Sequence, residues 1–558
     1  MPATAPTIDP VTLEVLRNKL DGIANEMQST LLRSSFSPIV KEGLDASASL
    51  FSPDGETLAQ SISIPIHLAT LIPVVRTFLR EFPLKTLGQD DLLVMNDPYL
   101  GGTHLPDIAV MMPIFHRGRP IALSAAMTHH QDVGGMTPGS VPTHATEVFQ
   151  EGVRIPPLKL RQGGVMNDTF IAMMRRNVRM PDAFIGDLNA QIAACTVGAR
   201  RLVEVAERHG ADTLATAFTE LLDRSEMMTR QSLAAIPDGS YRYTDYLDND
   251  GIDLDRPIRI CATVTVANGE MTCGFEGTSP QVRGPFNCVP SGTAAAALFA
   301  VRAITDPEIP TNGGCFRPVH LDLPADSLVN PSEPAPVNSR TATIKRITGC
   351  ILGALKDVLP DRIPADSGGE LLTLQFGGRR RDGSTYVVGD LIASGSGASD
   401  LGDGVDMIET DATNCMNLPV EALELEAPIK VHRFGLRPDS GGAGRHRGGL
   451  GGLREFEVMA GEVTVTYRGE RHDHPAAGAR GGEAGAAAAA EIQRRDGAIE
   501  AIPSKQVVTL MPGDRLIVET AGGGGHGPAA ERDPAAEAAD LRNGKVSPEA
   551  AARQKVDE

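Results

Sequence analysis

This sequence predicts an α+β protein, with mixed and antiparallel sheets against packed helices and a mostly β C-terminal part. Three observations point there. Up to about residue 237, apolar residues recur three and four apart in long runs, the period of helices that bury one face. From Tyr241 the period shortens to two, broken by Gly- and Asn-centred turns. From Val431 to the start of a charged tail only strand-like runs remain. The divisions that follow are an N-terminal α+β region (1–237), which carries the metal-site motifs, a central α+β region (238–430), a β-rich region (431–529) and a charged helical tail (530–558).

Residues 11–35 make the first predicted helix, because Leu13, Leu16, Leu20, Ile23, Met27 and Leu31 form one stripe; Thr12 can cap its start. Asp45 precedes an alternating run, Ala46 to Phe51, that closes on the turn signal Ser52-Pro53-Asp54-Gly55. A second helix spans 67–81 with Leu71, Val75 and Leu79 on one side. Short strands follow at 91–95, 108–115 and 120–127, the last two joined by the turn His116-Arg117-Gly118-Arg119. Helices are expected at 167–180, 181–209 and 211–235. Beyond Pro237-Asp238-Gly239, strands at 259–266 and 271–275 flank Asn268-Gly269. A small-residue helix at 291–304 follows, then one at 343–359 that Pro360 stops. Strands at 431–436, 453–458, 463–467, 507–510 and 515–518 make the β-rich part. The Ala/Gly-rich residues 476–490 read as a surface excursion between them.

Composition excludes several roles. The chain has 558 residues, no Trp and 41% hydrophobic residues, of which few are aromatic, so its core is mostly aliphatic. Acidic residues outnumber basic ones, 71 to 52, for a formal charge of −19, which argues against a polyanion-binding surface and for solubility. Seven scattered cysteines without a Cys-x-x-Cys fit reduced thiols in a cytoplasmic protein. Residues 1–10 lack a charged segment followed by an apolar run, so no secretory signal is expected; no run of about 18 apolar residues suggests a membrane span. No Gly-x-x-x-x-Gly-Lys-Ser/Thr loop occurs. Gly522-x-Gly524-x-x-Gly527 opens no βαβ unit, so it is not read as a dinucleotide fingerprint.

The chemistry concentrates between Met95 and Pro157, where His, Asp and Glu stand among many glycines. His104-x-x-Asp107 can present both side chains to one ion across a tight turn. The predicted hairpin brings its start, just after Asp107, beside its end, just before His129. His129 or His130 then supplies a second imidazole; neighbours on extended backbone point to opposite faces, so one of them is the ligand. Asp45, at the start of a remote strand, is the natural extra carboxylate. Two His with one or two Asp suits Zn or Mn and leaves positions open for chemistry. The alternative is that these residues cap turns and bond one another. The histidine not used as a ligand, with Asp132, is a candidate second layer or general base. Glu147 and Glu151 lie four apart, and a salt bridge to Arg154 is as reasonable for Glu151 as catalysis.

Several long motifs then occur in order. They include Asn96-Asp97-Pro98-Tyr99-Leu100-Gly101-Gly102-Thr103-His104-Leu105-Pro106-Asp107, the run from His129 to Gly139, Glu147 to Pro157, Gly277 to Asn287, Asn338 to Thr341, Thr413 to Glu421, Leu436 to Gly451 and Gly522 to Gly527. On these, the chain resembles the hydantoinase B/oxoprolinase family nearly end to end. Members of that family are the B components of ATP-dependent amidohydrolases, the second half of 5-oxoprolinase, and the metal-bearing subunits of acetone and acetophenone carboxylases. The resemblance implies a hydantoinase A-type partner that binds ATP and phosphorylates the substrate, in a heterotetramer or larger assembly; this chain itself would bind no ATP. It implies a divalent metal on His104, Asp107 and His129, with Asp45 as an additional ligand and His130 as the alternative to His129. The expected reaction is opening of a cyclic amide or imide of the hydantoin, oxoproline or lactam type after that phosphorylation. Asp132, His130 and Glu151 are the candidates for moving protons. The competing readings are a metal-bearing component of a ketone carboxylase and a non-catalytic scaffold for the A-type partner.

Overall fold

A computed structural model describes residues 8–554; the first seven residues, most of the stretch read for a secretory signal, and the last four lie outside the described residues. The architecture is α+β: four sheets, chiefly antiparallel, with helices packed on them. Among the described residues no helix is long and apolar enough to cross a membrane.

The first sheet has seven strands and positions the site. Its central strands are Ala46–Phe51, Arg119–His129, Asp107–His116 and Leu92–Met95, side by side in that order. Strand alternation gives this sheet two apolar faces. Ile108, Val110, Met112, Ala122 and Ala126 face the long helices Pro10–Ser34 and Pro181–His209. Ala109, Met111, Leu123, Ala125 and Met127 face the helix Pro65–Glu81 through Leu71, Val74, Val75 and Phe78. The first helix buries the predicted stripe, but its start is capped by Asp9, whose carboxylate accepts from the N–H groups of Val11 and Thr12.

The second sheet runs Gly239–Leu247, Ile258–Ala267, Glu270–Gly274 and Val319–Asp322, the last added in parallel. Helices Pro290–Ile304 and Arg340–Leu355 pack against it around one aliphatic core. The third sheet joins Leu371–Arg379 and Thr385–Ala393 to Val463–Arg468 and Lys505–Leu510, so hydrogen bonds cross the division expected at residue 430. The first two of these strands are not evident in the sequence, because Gly377 and Gly378 in one and Gly389 in the other interrupt the apolar alternation. The fourth sheet, Ile429–Leu436, Gly452–Val458, Arg515–Glu519, Ala489–Gln493 and Ile499–Ala501, shares a core with the third. The tail carries two short helices, Pro534–Arg542 and Pro548–Gln554.

Residues 476–488 join two strands as the expected excursion, with Ala477, Arg480, Gly481, Glu483 and Ala484 exposed, but the run is pinned to the protein at its glycines. Ala476 is fully buried, and Gly478, Gly482 and Gly485 press against the backbone of Gly482, Gly525 and Gly522 respectively. The glycines there allow backbone to pack on backbone while the residues between them stay exposed.

Candidate metal centre

Register builds the site. Asp107 and His129 are direct cross-strand partners, so their side chains share a face. One step beyond the pair Ala46 and Thr128, Asp45 comes level with them, and its carbonyl accepts the His129 N–H at 3.1 Å. Asp45, His129 and Asp107 thus form a row across three neighbouring strands, on the face covered by the helix Pro65–Glu81. That helix brings His67 in its first turn. His67 Nε2 lies 3.2 Å from Asp107 Oδ1 and 3.4 Å from Asp45 Oδ1.

His104 arrives on the loop before the Asp107 strand. The Asn96 side chain ties that loop down, donating to the carbonyls of Leu105 and Val153 and accepting from the Ile155 N–H. Gly102 is required by close approach, since a Cβ there would sit 2.8 Å from the Asn96 carbonyl oxygen. His104 Nδ1 is 3.0 Å from the Asn338 carbonyl, a contact that fixes the proton on Nδ1 and leaves the Nε2 lone pair facing Asp107 Oδ1 at 3.1 Å. The segment carrying Asn338 is held by Glu151, whose Oε1 accepts the N–H groups of Val337 and Asn338, both at 2.8 Å.

Three ligand-type atoms converge. His104, Asp107 and His129 each offer one atom within 4.8 Å of the others, and the His104 and His129 rings stand 5.0 Å apart. His129 Nδ1 is buried without a hydrogen-bond partner, and His104 Nε2 and Asp107 Oδ1 are buried with only each other and His67 Nε2 in reach. Such groups are costly unless something binds them, and two imidazoles with a carboxylate are the donors a borderline divalent ion takes. The set fits a metal.

The electrostatics agree with that use. Burial, with Arg340 nearby, pushes the His104 imidazole down to about 4; burial, then His104 itself, holds His129 well below its usual range. Both are neutral and free to ligate. Burial opposes ionisation of Asp107, but its neighbours, Arg340 and His67 among them, outweigh it and hold its carboxyl far below the ordinary value. Its Oδ2 is occupied by the Thr103 hydroxyl and the Arg340 guanidinium, which leaves Oδ1 for the cluster. Asp45 is pushed up to about 6 by burial, an effect His67 opposes.

The remaining candidates lie elsewhere. His130 points to the opposite face, lies tilted against the Phe184 ring at 4.6 Å and meets Gln191 Oε1 at 3.2 Å. Asp132 accepts from the N–H groups of Gly134, Gly139 and Arg179 and from the Arg179 guanidinium, so its carboxylate is used in holding a loop. Glu151 reaches the cluster only through Asn338, and burial raises it to about 8. Arg154 pairs with Asp97 and Glu333 rather than with Glu151, and Glu147 caps a short turn. Sequence reading did not find His67 or Arg340. His67 gives little signal in an apolar helix start, and Arg340 is 233 residues from the Asp107 it pairs with.

Comparison with known proteins decides the family. The family model for hydantoinase B/oxoprolinase matches residues 9–529. The chain belongs to that family. It is 33% identical to the beta subunit of caprolactamase from Pseudomonas jessenii, over 97% of this chain and 94% of that protein. It is 31% identical to the B component of a putative D-/L-hydantoinase of Pseudomonas sp. (strain NS671), over 98% and 94%. The crystal structure of the ATP-dependent caprolactamase from Pseudomonas jessenii superimposes with a TM-score of 0.91 at 32% identity, covering 98% of this chain and 96% of that one. A family of cyclic-amide hydrolase components is thus matched along nearly the whole chain.

Proposed function

We propose that this chain is the metal-dependent component of a two-component, ATP-dependent amidohydrolase. A hydantoinase A-type partner would phosphorylate a cyclic amide or imide, and this chain would open the ring. The observation that carries the reading is the convergence of three buried ligand-type atoms on His104, Asp107 and His129. The names of the relatives, the B component of a hydantoinase and the beta subunit of a caprolactamase, support both the substrate class and the need for a partner.

Asp107 Oδ1, His104 Nε2 and His129 would hold the ion, Zn or Mn, with Asp45 as the further carboxylate at the end of the row. When bound, such an ion polarises a carbonyl or phosphoryl oxygen and acidifies water. The chain's own residues do the rest. Asn338 and Glu151 keep the His104 ring in one tautomer. Arg340 and Thr103 hold Asp107 through Oδ2. His67 keeps a proton between Asp45 and Asp107 and so spaces the two carboxylates. Asp45 and His67, rather than Asp132 or His130, are the groups placed to accept or return protons at the cluster.

The test is metal content by mass spectrometry together with turnover in a reconstituted pair. About one ion per chain, lost in the His104→Ala/Asp107→Ala double variant along with ATP-dependent ring opening, is expected. Full turnover by that variant would leave the chain a scaffold. Labelled bicarbonate carbon in the product would make it part of a ketone carboxylase instead.

A further inference from the structure

We propose that the polar face of the third sheet, centred on Arg468, is an oxyanion site beside the metal centre, built to take a phosphoryl or carboxylate group. The inference rests on the amidohydrolase reading only for what brings such a group there.

Arg468 is the anomaly. It is 7% exposed, and its one side-chain hydrogen bond among the described residues goes from Nη2 to the Thr373 hydroxyl at 2.7 Å. Its neighbours do not neutralise it. Glu470, two residues on, is engaged by Lys505 Nζ at 2.6 Å. Arg340, the other guanidinium in its field, is itself committed to Asp107. Burial, with Arg340 adding repulsion, pushes Arg468 down to about 9, and an arginine remains charged at neutral pH. Glu470 attracts Arg468 only through space, and a buried cation with no carboxylate in contact is unfavourable, since buried charges are normally paired directly. The structure keeps this one and orients it.

The surroundings are polar and incompletely bonded. Thr373 stands opposite Arg468 and Gln375 opposite Thr466 in adjacent strands, so all four share one face. Thr466 Oγ1 is buried without a partner, as is Arg340 Nε. Gln131, two residues beyond His129, reaches this face through Gln375 at 3.4 Å, and its Oε1 is also unpartnered. The face therefore adjoins the metal loop, and it offers a fork of donors with a hydroxyl beside it. That is the recognition set for phosphate or carboxylate. A site of this kind would hold the charged end of a phosphorylated or ring-opened species while its other end lies at the cluster.

Isothermal titration of the metal-loaded full chain with inorganic phosphate, and separately with acetate, tests this. Binding of at least one anion is expected, weakened tenfold or more in Arg468→Gln with metal content unchanged. Tighter phosphate binding would assign the site to the phosphoryl group, and tighter acetate binding to the product carboxylate. Binding of neither anion, or equal binding by Arg468→Gln, overturns the proposal, the latter because the anion then sits elsewhere, such as on the ion. If Arg468→Gln does not accumulate, Thr373→Val decides: about fivefold weaker binding is expected, and unchanged affinity overturns it. Because binding is read on this chain alone, intact anion binding with no turnover counts against the amidohydrolase reading and not against this site. Turnover without anion binding counts the other way.

Discussion

Two regions of this chain are rich in glycine and use it for opposite ends. Around the metal centre, glycines at turns let side chains converge. Gly134 has a left-handed φ of 88°, and it lets the Asp132 loop close on itself, with the Gly134 N–H donating to the Asp132 carboxylate. In the C-terminal region, glycines let main chains converge. Residues 522–525 run through the middle of segments near 396, 442–449 and 477–485, donating to the carbonyls of Ala486, Gly449, Asp366 and Glu483. A Cβ on Gly523 would lie 1.9 Å from the Ser396 carbonyl oxygen, and one on Gly522 would lie 1.7 Å from that of Ser440. None of Gly522 to Gly525 has a left-handed φ; the requirement is room, not dihedral freedom. Equal composition therefore means a reactive cluster in one place and a packed frame in the other.

The comparison breaks most visibly in the frame. Gly523→Ala is expected to cost about 4 kcal/mol or more, because the atoms in the way are backbone and cannot turn aside. The readout is loss of soluble protein or a large fall in Tm. His104→Ala should show the reverse pattern. Metal content falls to near zero and turnover drops roughly a thousandfold, the equivalent of about 4 kcal/mol of transition-state stabilisation, while Tm changes far less than in Gly523→Ala.

Glu151→Gln sharpens the comparison through pH. The Glu151 carboxyl is raised from 4.5 to about 8, so the folded state binds its proton more tightly than the unfolded chain does. Its contribution to stability is complete below about pH 4.5, declines as pH rises toward 8 and is gone above. The glutamine variant retains an oxygen to accept from Val337 and Asn338 and lacks this slope. It should be more stable than the parent at pH 8.5, by about 2 to 4 kcal/mol in denaturant melts. It should also retain its metal; loss of the ion would mean that Glu151 does more than hold the Asn338 segment. The smallest effect belongs to Gly402→Ala, in the same glycine-rich run as Gly395 and Gly397. Nothing lies within 4 Å of a Cβ there, and stability should stay within about 0.5 kcal/mol.

What the sequence made legible follows from range. The hairpin Asp107–His116 and Arg119–His129 is a local object, fixed by alternation and a turn, and its register alone puts Asp107 beside His129. Alternation also separates His129 from His130, although it does not say which of them faces the cluster. That choice depends on which helix covers which face, a matter settled by Leu71, Val75 and Phe78 packing on Met111 and Met127. His67 and Arg340 act across long separations, where periodicity carries no information. The third sheet was illegible for a related reason. Its first two strands are punctuated by glycines that make room for neighbours, Gly377 for Pro138 among them, and this reads as loop until the neighbour is known.

The row of Asp45, His129 and Asp107 has a mechanical consequence. Its members stand on adjacent strands, so their separations are inherited from the inter-strand spacing of roughly 4.5 to 5.5 Å, which main-chain hydrogen bonds set. Side-chain torsions move the donors, but the Cα spacing from which they start is set by the sheet. The spacing of Asp107 and His129 is thus inherited from the sheet, while His104 comes to them on a loop held by Asn96 and Asn338. Exchange of the ion should leave the backbone still, and selectivity among ions should follow from how well each radius suits a gauge that the fold does not adjust.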